Sequence, residues 1–257
     1  MNNDQLNFFF PIASQTSNID KFVLLKIMKF IGLKKNKYSY LEIGSFLGGS
    51  LTPFLRDKKC KKILSIDKRN QVLDDERHEK WSYKKIPCKL MIENLKKNNL
   101  DISKLKTFDG DVSNFSTKNK FDLVFIDGVH TDTNTFSDFL HSLDIVHRNS
   151  IILFHDSDVI FKALSLINIF LKKNKYVFKM FKFKKSGITG IFMGTFEKIK
   201  IEKKDVEQFE KFIKKANENL LIHQLNSRIN IKFKISRFLK GKPPYKFFLK
   251  PIEKKNV

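Results

Sequence analysis

The segment FDLVFIDGVH (121–130) changes within a few positions from an apolar, strand-like run to residues that can do chemistry. Asp127 and Gly128 follow the apolar run directly, and His130 comes after one further residue. A carboxylate can bind a cation or cap a helix, and an imidazole titrates near neutral pH and can take up a proton. Taken alone, Asp127 also fits a helix N-cap and His130 a surface loop, so the rest of the chain must decide.

Other apolar segments also end in polar residues. ILSID ends at Asp67, FDGD ends at Asp111, and SIILF is followed by His155 and Asp156. Ligands of open parallel sheets bind beyond the carboxyl ends of the strands. Asp67 lies 23 residues after Gly44, a spacing that suits an acceptor for both ribose hydroxyls of NAD or of S-adenosylmethionine. Asp111 could approach an adenine amino group, although a lone Asp at a strand end is usually a turn former or a cap.

The segment LEIGSFLGGS (41–50) predicts a glycine-containing turn between a strand and a helix. Its glycines allow a close approach of the backbone to a ligand, and the helix start exposes N–H groups. It is neither G-x-G-x-x-G, because Phe46 replaces the second glycine, nor a P-loop, because no G-K-[ST] follows. A tight turn without a ligand remains open. The turn residues that we consider ligand-binding candidates are Gly44, Ser45, Gly48, Gly49 and Ser50.

Strand-like and helical segments alternate along most of the chain, which predicts a parallel sheet covered on both faces. A closing hairpin without an intervening helix adds one antiparallel strand. We therefore expect an α/β fold with a doubly wound, mostly parallel, seven-stranded sheet of the Rossmann-like type. The predicted strands are 38–43, 61–67, 104–112, 121–126, 150–158, 176–184 and 187–196. The predicted helices are 19–33, 50–57, 87–98, 136–147, 159–173 and 201–225.

Three regions are expected: an N-terminal helical segment (1–36), a Rossmann-like domain (37–200), and a helical extension with a basic, aromatic end (201–257). The polar segment 67–85 is left as either a mobile flap over the site, from residue 68 onward, or the start of a helix. The formal net charge is +23, and the last thirty residues contain ten Lys or Arg and one acid. This charge fits an anionic partner or codon bias equally well, so it does not decide the function.

The remaining composition gives limits on the compartment. Cys60 and Cys88 do not form a disulfide framework, which favours free thiols. The first residues lack the basic start and long apolar run of a signal peptide, and no segment reaches the ~18 apolar residues of a membrane span. We therefore expect a cytoplasmic protein.

The ordered motifs LEIGSFLGGS, ILSID, GDV, FIDGVHTDTNTFSDF and FHDSD resemble those of class I S-adenosylmethionine-dependent methyltransferases. The resemblance extends from about Tyr40 to Gly194. Within this class, the D-G-x-H stretch followed by FHDSD is similar to the bacterial branch that methylates macrolide sugars and polysaccharides on oxygen. The first three motifs are general to nucleotide-binding sheets, and the last two are more specific.

The resemblance implies roles for individual residues. Glu42 and Gly44 would line the methionine end of the cofactor, Asp67 would hold the ribose, and Asp111 would hold the adenine. Asp127 would lie beside the cofactor as well.

The resemblance also implies a metal and a base. Asp127 and Asp156 would bind a divalent ion, Mg²⁺ or Mn²⁺, and His130, assisted by Asp127, would be the catalytic general base. Related enzymes often have two adjacent acids after the fifth strand, where this chain has His155. That histidine could be a third metal ligand, which would also admit Fe²⁺, or a second base, or a structural residue, with Asp158 supplying the missing carboxylate.

The function implied is O-methylation of a sugar hydroxyl or a phosphate-linked group of a bacterial surface glycan, such as a capsule, or of a natural product. An NAD-dependent oxidoreductase would share the glycine turn and Asp67 but would leave Asp127, His130 and Asp156 unexplained. A non-enzymatic protein that binds RNA or an anionic surface is the third alternative. We expect a small-molecule, sugar or glycan acceptor and no specific nucleic acid. Peripheral contact of the basic tail with an anionic membrane or lipid-linked glycan, and a homo-oligomer, are left open.

Overall fold

The computed structural model describes residues 3–69, 72–76, 80–82, 86–199 and 201–229 of the 257-residue chain. Contacts divide the chain into two compact units, Met1–Ile213 and Lys214–Val257. The central sheet and the site described below belong to the first unit. The described part of the second unit, 214–229, is helical. The predicted basic, aromatic tail lies almost entirely outside the described residues.

Strands and helices largely alternate as far as residue 173, apart from the β2–β4 and β5–β6 segments, and β8 and β9 then follow without an intervening helix. The helices are α1 (Asn3–Phe9), α2 (Asn18–Lys34), α3 (Thr52–Arg56), α4 (Cys88–Lys97), α5 (Asp132–Asp144), α6 (Phe161–Lys173) and α7 (Phe209–Ile229). The strands are β1 (Tyr38–Ile43), β2 (Cys60–Asp67), β3 (Val72–Asp74), β4 (Lys80–Ser82), β5 (Leu105–Asp109), β6 (Phe121–Ile126), β7 (Val146–Phe154), β8 (Phe178–Phe183), β9 (Thr189–Met193) and β10 (Val206–Gln208). Short 3-10 helices occupy Val112–Asn114 and Gly194–Lys198.

The main sheet has the strand order β10-β8-β9-β7-β6-β1-β2-β5. The five strands from β5 to β7 pair in parallel, whereas β9, β8 and β10 each pair antiparallel with their neighbour. Every residue of β1 and β6 is buried, as expected for strands covered on both faces. After β1 the chain adds β2 and then β5 on one side of β1, and it then crosses to add β6 on the other side. The order of strand addition therefore reverses between β1 and β6, although these two strands are parallel. That reversal is where an open α/β sheet has its ligand crevice.

Helices cover both faces of the sheet. On one face α1, α2, α3 and α4 contribute to a continuous apolar core with the strands. On the other face α5 packs on β7 and α6 through Phe139, whose ring contacts Phe154 and Phe170. The predicted doubly wound, mostly parallel α/β fold is therefore confirmed. No helix within the described residues combines the length and the apolar character that a membrane crossing requires.

The predicted number of strands is wrong, because the main sheet has eight strands among the described residues, not seven. The additional strand is β10, which pairs with Phe181–Phe183 of β8. The sequence predicts a helix from Ile201, which would include β10. In the structure this helix, α7, begins at Phe209. A three-residue strand is too short to show an alternating apolar pattern, so its pairing partner alone defines it.

Other boundaries also differ from the prediction, and β7 begins at Val146 instead of residue 150. Helix α5 begins at Asp132 instead of residue 136, because the Thr131 side chain accepts a hydrogen bond from the Asn134 N–H and caps the helix. The polar segment after Asp67 contains a two-stranded hairpin, β3–β4, in place of a helix start.

Candidate active site

The turn after β1 brings two strand ends into close contact. Gly44 has a φ of +87°, and a Cβ at this position would lie 2.1 Å from the Asp127 carbonyl oxygen. The Gly44 N–H donates to the Ile66 carbonyl of β2 at 2.8 Å, and the Asp127 N–H donates to the Ile43 carbonyl at 2.8 Å. Only glycine combines this backbone conformation with this proximity. The turn thus joins the ends of β1, β2 and β6.

Asp67 is positioned by the same turn. Its Oδ2 accepts hydrogen bonds from the Ser45 and Phe46 N–H groups, both at 3.0 Å, and lies 3.3 Å from the buried Arg69 guanidinium. Among the described residues, Oδ1 has no such contact and is available to a ligand. The sequence predicts Asp67 as a ligand-binding residue, and the contacts on Oδ2 explain how the carboxylate is oriented.

These strand ends enclose a cavity, which we call the strand-end cavity. Residues from the ends of β1, β2, β5 and β6, from the segment before α2 and from α5 form its wall. The predicted cofactor residues that line it are Gly44, Ser45, Gly49, Ser50, Asp67, Asp111 and Asp127. Two others, Glu42 and Gly48, do not line it. Gly48 is close to Met91 and Leu95 of α4, where a Cβ would lie 3.0 Å from the Met91 side chain.

Glu42 lies beneath the turn and is completely buried. Tyr40 donates its hydroxyl to Oε2 at 2.6 Å, and Ser50 donates its hydroxyl to Oε1 at 2.5 Å. Burial, assisted by the Asp127 charge, raises the pKa of Glu42 to about 8, although the two hydroxyl donors oppose the shift. Glu42 contacts Ser50, which lines the cavity, but does not line the cavity itself. Its contact with a cofactor stays a prediction.

Asp111 lines the cavity and also caps the 3-10 helix that follows β5. Its Oδ1 accepts hydrogen bonds from the Ser113 N–H at 3.0 Å and the Ser113 hydroxyl at 2.8 Å. These bonds lower the pKa of Asp111. Lys68 lies 3.8 Å from Oδ2. The capping role and the lining role therefore coexist at this residue.

Asp127, His130, His155 and Asp156 form a second group, which we call the histidine cluster. His130 lies 3.2 Å from Asp127 Oδ1 through Nε2 and 3.1 Å from Asp156 Oδ2 through Nδ1. His155 is buried, with Nδ1 2.9 Å from Asp127 Oδ1 and 3.6 Å from Asp156 Oδ1. Asp156 has a left-handed φ of +46°, a conformation that Asp tolerates better than most side chains. Asp127 belongs to both the cluster and the cavity wall.

Asp20 of α2 completes the surroundings of His155, and the sequence analysis missed it. Its Oδ2 lies 3.4 Å from His155 Nε2. Its Oδ1 accepts hydrogen bonds from the Ser186 hydroxyl and the Gly187 N–H, at 2.5 and 2.7 Å. The S-x-x-D pattern of Ser17 and Asp20 is a visible capping box, but no sequence signal connects it with a histidine 135 positions later.

The carboxylates around His155 determine its charge. Burial favours the neutral imidazole, but Asp127, Asp20 and Asp156 outweigh it and raise the pKa of His155 to about 11. The pKa of Asp127 is lowered, since its contacts with His155 and His130 outweigh its burial. Without a bound cation, the cluster therefore keeps His155 protonated at neutral pH.

The donor atoms of the cluster also fit a metal ion. One ligand atom each from Asp127, His130 and His155 can be chosen so that all lie within 4.8 Å of one another. Two imidazoles with carboxylates suit Mn²⁺ or Fe²⁺ better than Mg²⁺, which prefers oxygen ligands. Asp158, the alternative ligand, is mostly exposed and lies 3.4 Å from the Lys182 ammonium group.

The β3–β4 hairpin contacts the loop that carries His130. The Glu76 N–H donates to the His130 carbonyl at 3.1 Å, and Glu76 Oε1 accepts from the Asp132 N–H at 2.7 Å. Within the predicted flap, 68–85, the residue that makes these contacts is Glu76, which lies beside the loop of the histidine cluster. Closure of this flap over the site stays a prediction.

Comparisons with known proteins agree with this architecture. Residues 41–157 match a family described as "Methyltransferase domain". The O-methyltransferase NovP has a TM-score of 0.52 at 10% identity, with 67% of this chain and 77% of that chain covered. An O-methyltransferase from Bacillus cereus in complex with SAH has a TM-score of 0.50 at 14% identity, with 75% and 92% covered. At these identities the two structures show a common fold.

A curated relative is protein R132 of Acanthamoeba polyphaga mimivirus, 28% identical over 123 residues. The match spans 48% of this chain and 53% of the relative, so it includes about half the length of each protein. The fold is that of Rossmann-like methyltransferases, and residues 41–157 are similar to a methyltransferase domain.

Proposed function

We propose that this protein transfers the methyl group of S-adenosylmethionine to an oxygen atom of its acceptor. The observation that supports this most directly is the position of Asp127, which lines the strand-end cavity and also contacts His130 and His155. A cofactor in the cavity would therefore have its reactive end beside an imidazole. The similarity of the fold to O-methyltransferases supports oxygen as the acceptor atom.

The cofactor residues follow from the cavity wall. The turn from Gly44 to Ser50 would contact the methionine part, and Oδ1 of Asp67 would accept hydrogen bonds from the ribose hydroxyls. Asp111 and its neighbours at the end of β5 would face the adenine. Apart from Glu42 and Gly48, which do not line the cavity, these are the residues that the sequence predicts for the cofactor.

His130 is the proposed general base. Asp127 and Asp156, one at each ring nitrogen, would fix the orientation of the imidazole. In the reaction the acceptor oxygen attacks the methyl carbon, and the S–CH₃ bond breaks to leave neutral S-adenosylhomocysteine. His130 takes the hydroxyl proton as the new C–O bond forms. The protein contributes mainly alignment and proton removal, because the sulfonium is already an activated donor.

A divalent cation is part of the proposal. Asp127, His130, His155 and Asp156 offer the donor set, and Mn²⁺ fits two imidazoles better than Mg²⁺. A bound cation would orient and acidify neighbouring hydroxyls of the acceptor. Because His155 carries a proton in the absence of a cation, metal binding must displace that proton and would weaken at low pH. One imidazole cannot be both ligand and base, so with His130 as the base the proposed ligands are Asp127, His155 and Asp156.

The proposed acceptor is a sugar hydroxyl or a phosphate-linked group of a bacterial surface glycan or a natural product, as the sequence resemblance implies. Contact of the basic C-terminal segment with an anionic membrane or a lipid-linked glycan belongs to the same proposal. So does the cytoplasmic location.

The test is methyl transfer from S-adenosylmethionine labelled in the methyl group to a panel of sugars, nucleotide sugars and sugar phosphates. Metal-stripped protein is compared with protein supplied with Mg²⁺ or Mn²⁺. We expect transfer in the wild type that falls about 10²- to 10⁴-fold in His130→Ala. The matched control, His147→Ala, removes an exposed histidine on β7 and should retain activity.

Two results would contradict the proposal. Full activity in His130→Ala would exclude His130 as the base. Binding of NADH by the wild type without binding of S-adenosylmethionine or S-adenosylhomocysteine would favour the oxidoreductase alternative.

A further inference from the structure

Asp138 differs from the other carboxylates of the strand-end cavity. Four Asp side chains line this cavity within the described part of the chain: Asp67, Asp111, Asp127 and Asp138. The first three have hydrogen-bond or ion-pair partners. Within the described residues, the carboxylate of Asp138 has none. Asp138 is half-buried. A carboxyl group partly withdrawn from water without a partner is unfavourable, and at the wall of a cavity it can receive a hydrogen bond from a ligand.

The surroundings of Asp138 leave space for this side chain to reach the cavity. A Cβ at Gly128 would lie 3.2 Å from Asp138 Oδ2 and 3.5 Å from Ile43 Cγ2. Gly128 does not have a positive φ, so its small size is the property required here. This accounts for the glycine that follows Asp127, for which the sequence analysis gave no separate role.

Asp138 lies on a helix that packs beside the end of β5. It shares a face of α5 with Asn134, one turn earlier, and both line the cavity. Helix α5 packs against the 3-10 helix Val112–Asn114, which follows the lining residues Gly110 and Asp111. Burial, and then the charge of Asp111, raise the pKa of Asp138 to about 7. Asp111 is thus an electrostatic neighbour of Asp138, whereas Asp67 and Gly44 mark the ribose and methionine positions.

We propose that the carboxyl group of Asp138 accepts a hydrogen bond from the 6-amino group of the cofactor's adenine. This rests on the proposed binding of S-adenosylmethionine. Asp111 was predicted for this contact, but its Oδ1 already accepts two hydrogen bonds from Ser113. The 6-amino group is a donor, and a carboxyl oxygen accepts from it whether or not the acid is ionised. Asp138 thereby becomes a specificity-determining residue for the base.

The experiment compares two ligands and four proteins by calorimetric titration. The ligands are S-adenosylhomocysteine and its analogue in which hydrogen replaces the 6-amino group. The proteins are the wild type, Asp138→Leu, Asp138→Asn and Asp144→Asn, which changes an exposed Asp on the same helix. Thermal unfolding of each variant shows that it is folded.

We expect the wild type to prefer S-adenosylhomocysteine over the analogue by roughly tenfold, as one hydrogen bond to a half-buried carboxyl group predicts. Asp138→Leu should lose this preference by binding S-adenosylhomocysteine about tenfold more weakly and the analogue nearly as well as before. Asp138→Asn should keep the preference, because its amide oxygen is also an acceptor. Asp144→Asn should match the wild type.

The preference itself is the decisive quantity, because a merely structural role of Asp138 would weaken both ligands equally. An Asp138→Leu protein that still discriminates between the ligands would overturn the inference. An equal loss of affinity for both ligands would also overturn it. That result would mean that Asp138 either contacts the methionine ammonium group or only stabilises the fold. If the wild type binds neither ligand, the proposed function fails as well, whereas the other two results leave that function intact.

Discussion

The strand-end cavity and the histidine cluster share Asp127 but are held in place by different kinds of contact. In the cavity, Asp67 is oriented by the N–H groups of Ser45 and Phe46, in the turn of the neighbouring strand. In the cluster, His155 is held by Asp20, which comes from a helix before the first strand of the sheet. The cavity is therefore positioned by contacts between neighbouring strand ends, whereas the cluster also depends on a remote helix.

This difference explains which residues the sequence could predict. The ends of the parallel strands are recognisable from apolar runs followed by Gly, Asp or His, so the sequence could place Asp67, Asp111 and Asp127 at strand ends, where they line the cavity. Asp20 could not be connected with His155, because that contact depends on tertiary packing. Asp138 was also missed, since an Asp in a polar helix has no distinguishing signal until its surroundings are known.

The same reasoning applies to the fold. The parallel strands β1, β2, β5, β6 and β7 could be predicted from apolar segments alternating with helical ones. Strand β10 and the β3–β4 hairpin could not, because three-residue strands are defined by their partners and not by a periodic pattern. Predictions about the two regions follow, in order of decreasing effect.

The largest effect is expected where the two regions meet. Gly44→Ala would place a methyl group 2.1 Å from the Asp127 carbonyl oxygen, in a backbone conformation that disfavours side chains. We expect a loss of about 4 kcal/mol or more in the free energy of unfolding, measured by urea denaturation. The matched change Gly32→Ala, in α2, meets its nearest atom at 3.4 Å and should alter stability by no more than about 1 kcal/mol. Equal stability of the two variants would contradict the close contact of the strand ends.

The second effect concerns the remote support of the cluster. Asp20→Ala removes a buried carboxylate that accepts bonds from Ser17, Ser186 and Gly187 and faces His155, so we expect a loss of about 3 kcal/mol at pH 7. Although burial opposes the shift, His155 and the two serines lower the pKa of Asp20 in the folded protein. Its contribution is therefore present above the unfolded pKa near 4 and lost as the pH falls toward the folded pKa.

Urea denaturation of wild type and Asp20→Ala between pH 3 and pH 7 measures this dependence. The gap between the two proteins should narrow below about pH 4. A gap that is constant over the whole range would show that Asp20 acts only through packing.

A smaller effect of opposite sign is expected from Glu42, beneath the turn of the cavity. The pKa of Glu42 is raised to about 8, so its contribution to stability is greatest below about pH 4.5 and is lost as the pH rises through 8. Glu42→Gln keeps the shape of the neutral acid without the charge. We expect the stability of the wild type to fall relative to this variant as the pH rises from 4.5 to 8.5. Parallel pH profiles in chemical denaturation would contradict a neutral Glu42.

The smallest effect sets the scale for contacts outside both regions. Lys26 pairs with Asp205 at the surface, and the lysine side chain is 55% exposed. Lys26→Ala should change the free energy of unfolding by no more than about 0.5 kcal/mol, because water and salt screen exposed pairs. A loss in the free energy of unfolding as large as that of Asp20→Ala would contradict the expectation that buried carboxylates contribute more to stability than exposed ion pairs.

The most direct test of the central claim, that the strand-end cavity binds S-adenosylmethionine, is a calorimetric titration of this cofactor into three proteins. These are the wild type, Asp67→Ala and Asp109→Ala, the last of which changes an exposed Asp paired with Asp67 across neighbouring strands. We predict one binding site, with affinity about 30-fold weaker or worse in Asp67→Ala because the ribose hydroxyls lose their charged acceptor, and nearly unchanged in Asp109→Ala. No binding by the wild type, or equal binding by Asp67→Ala and Asp109→Ala, would contradict the account.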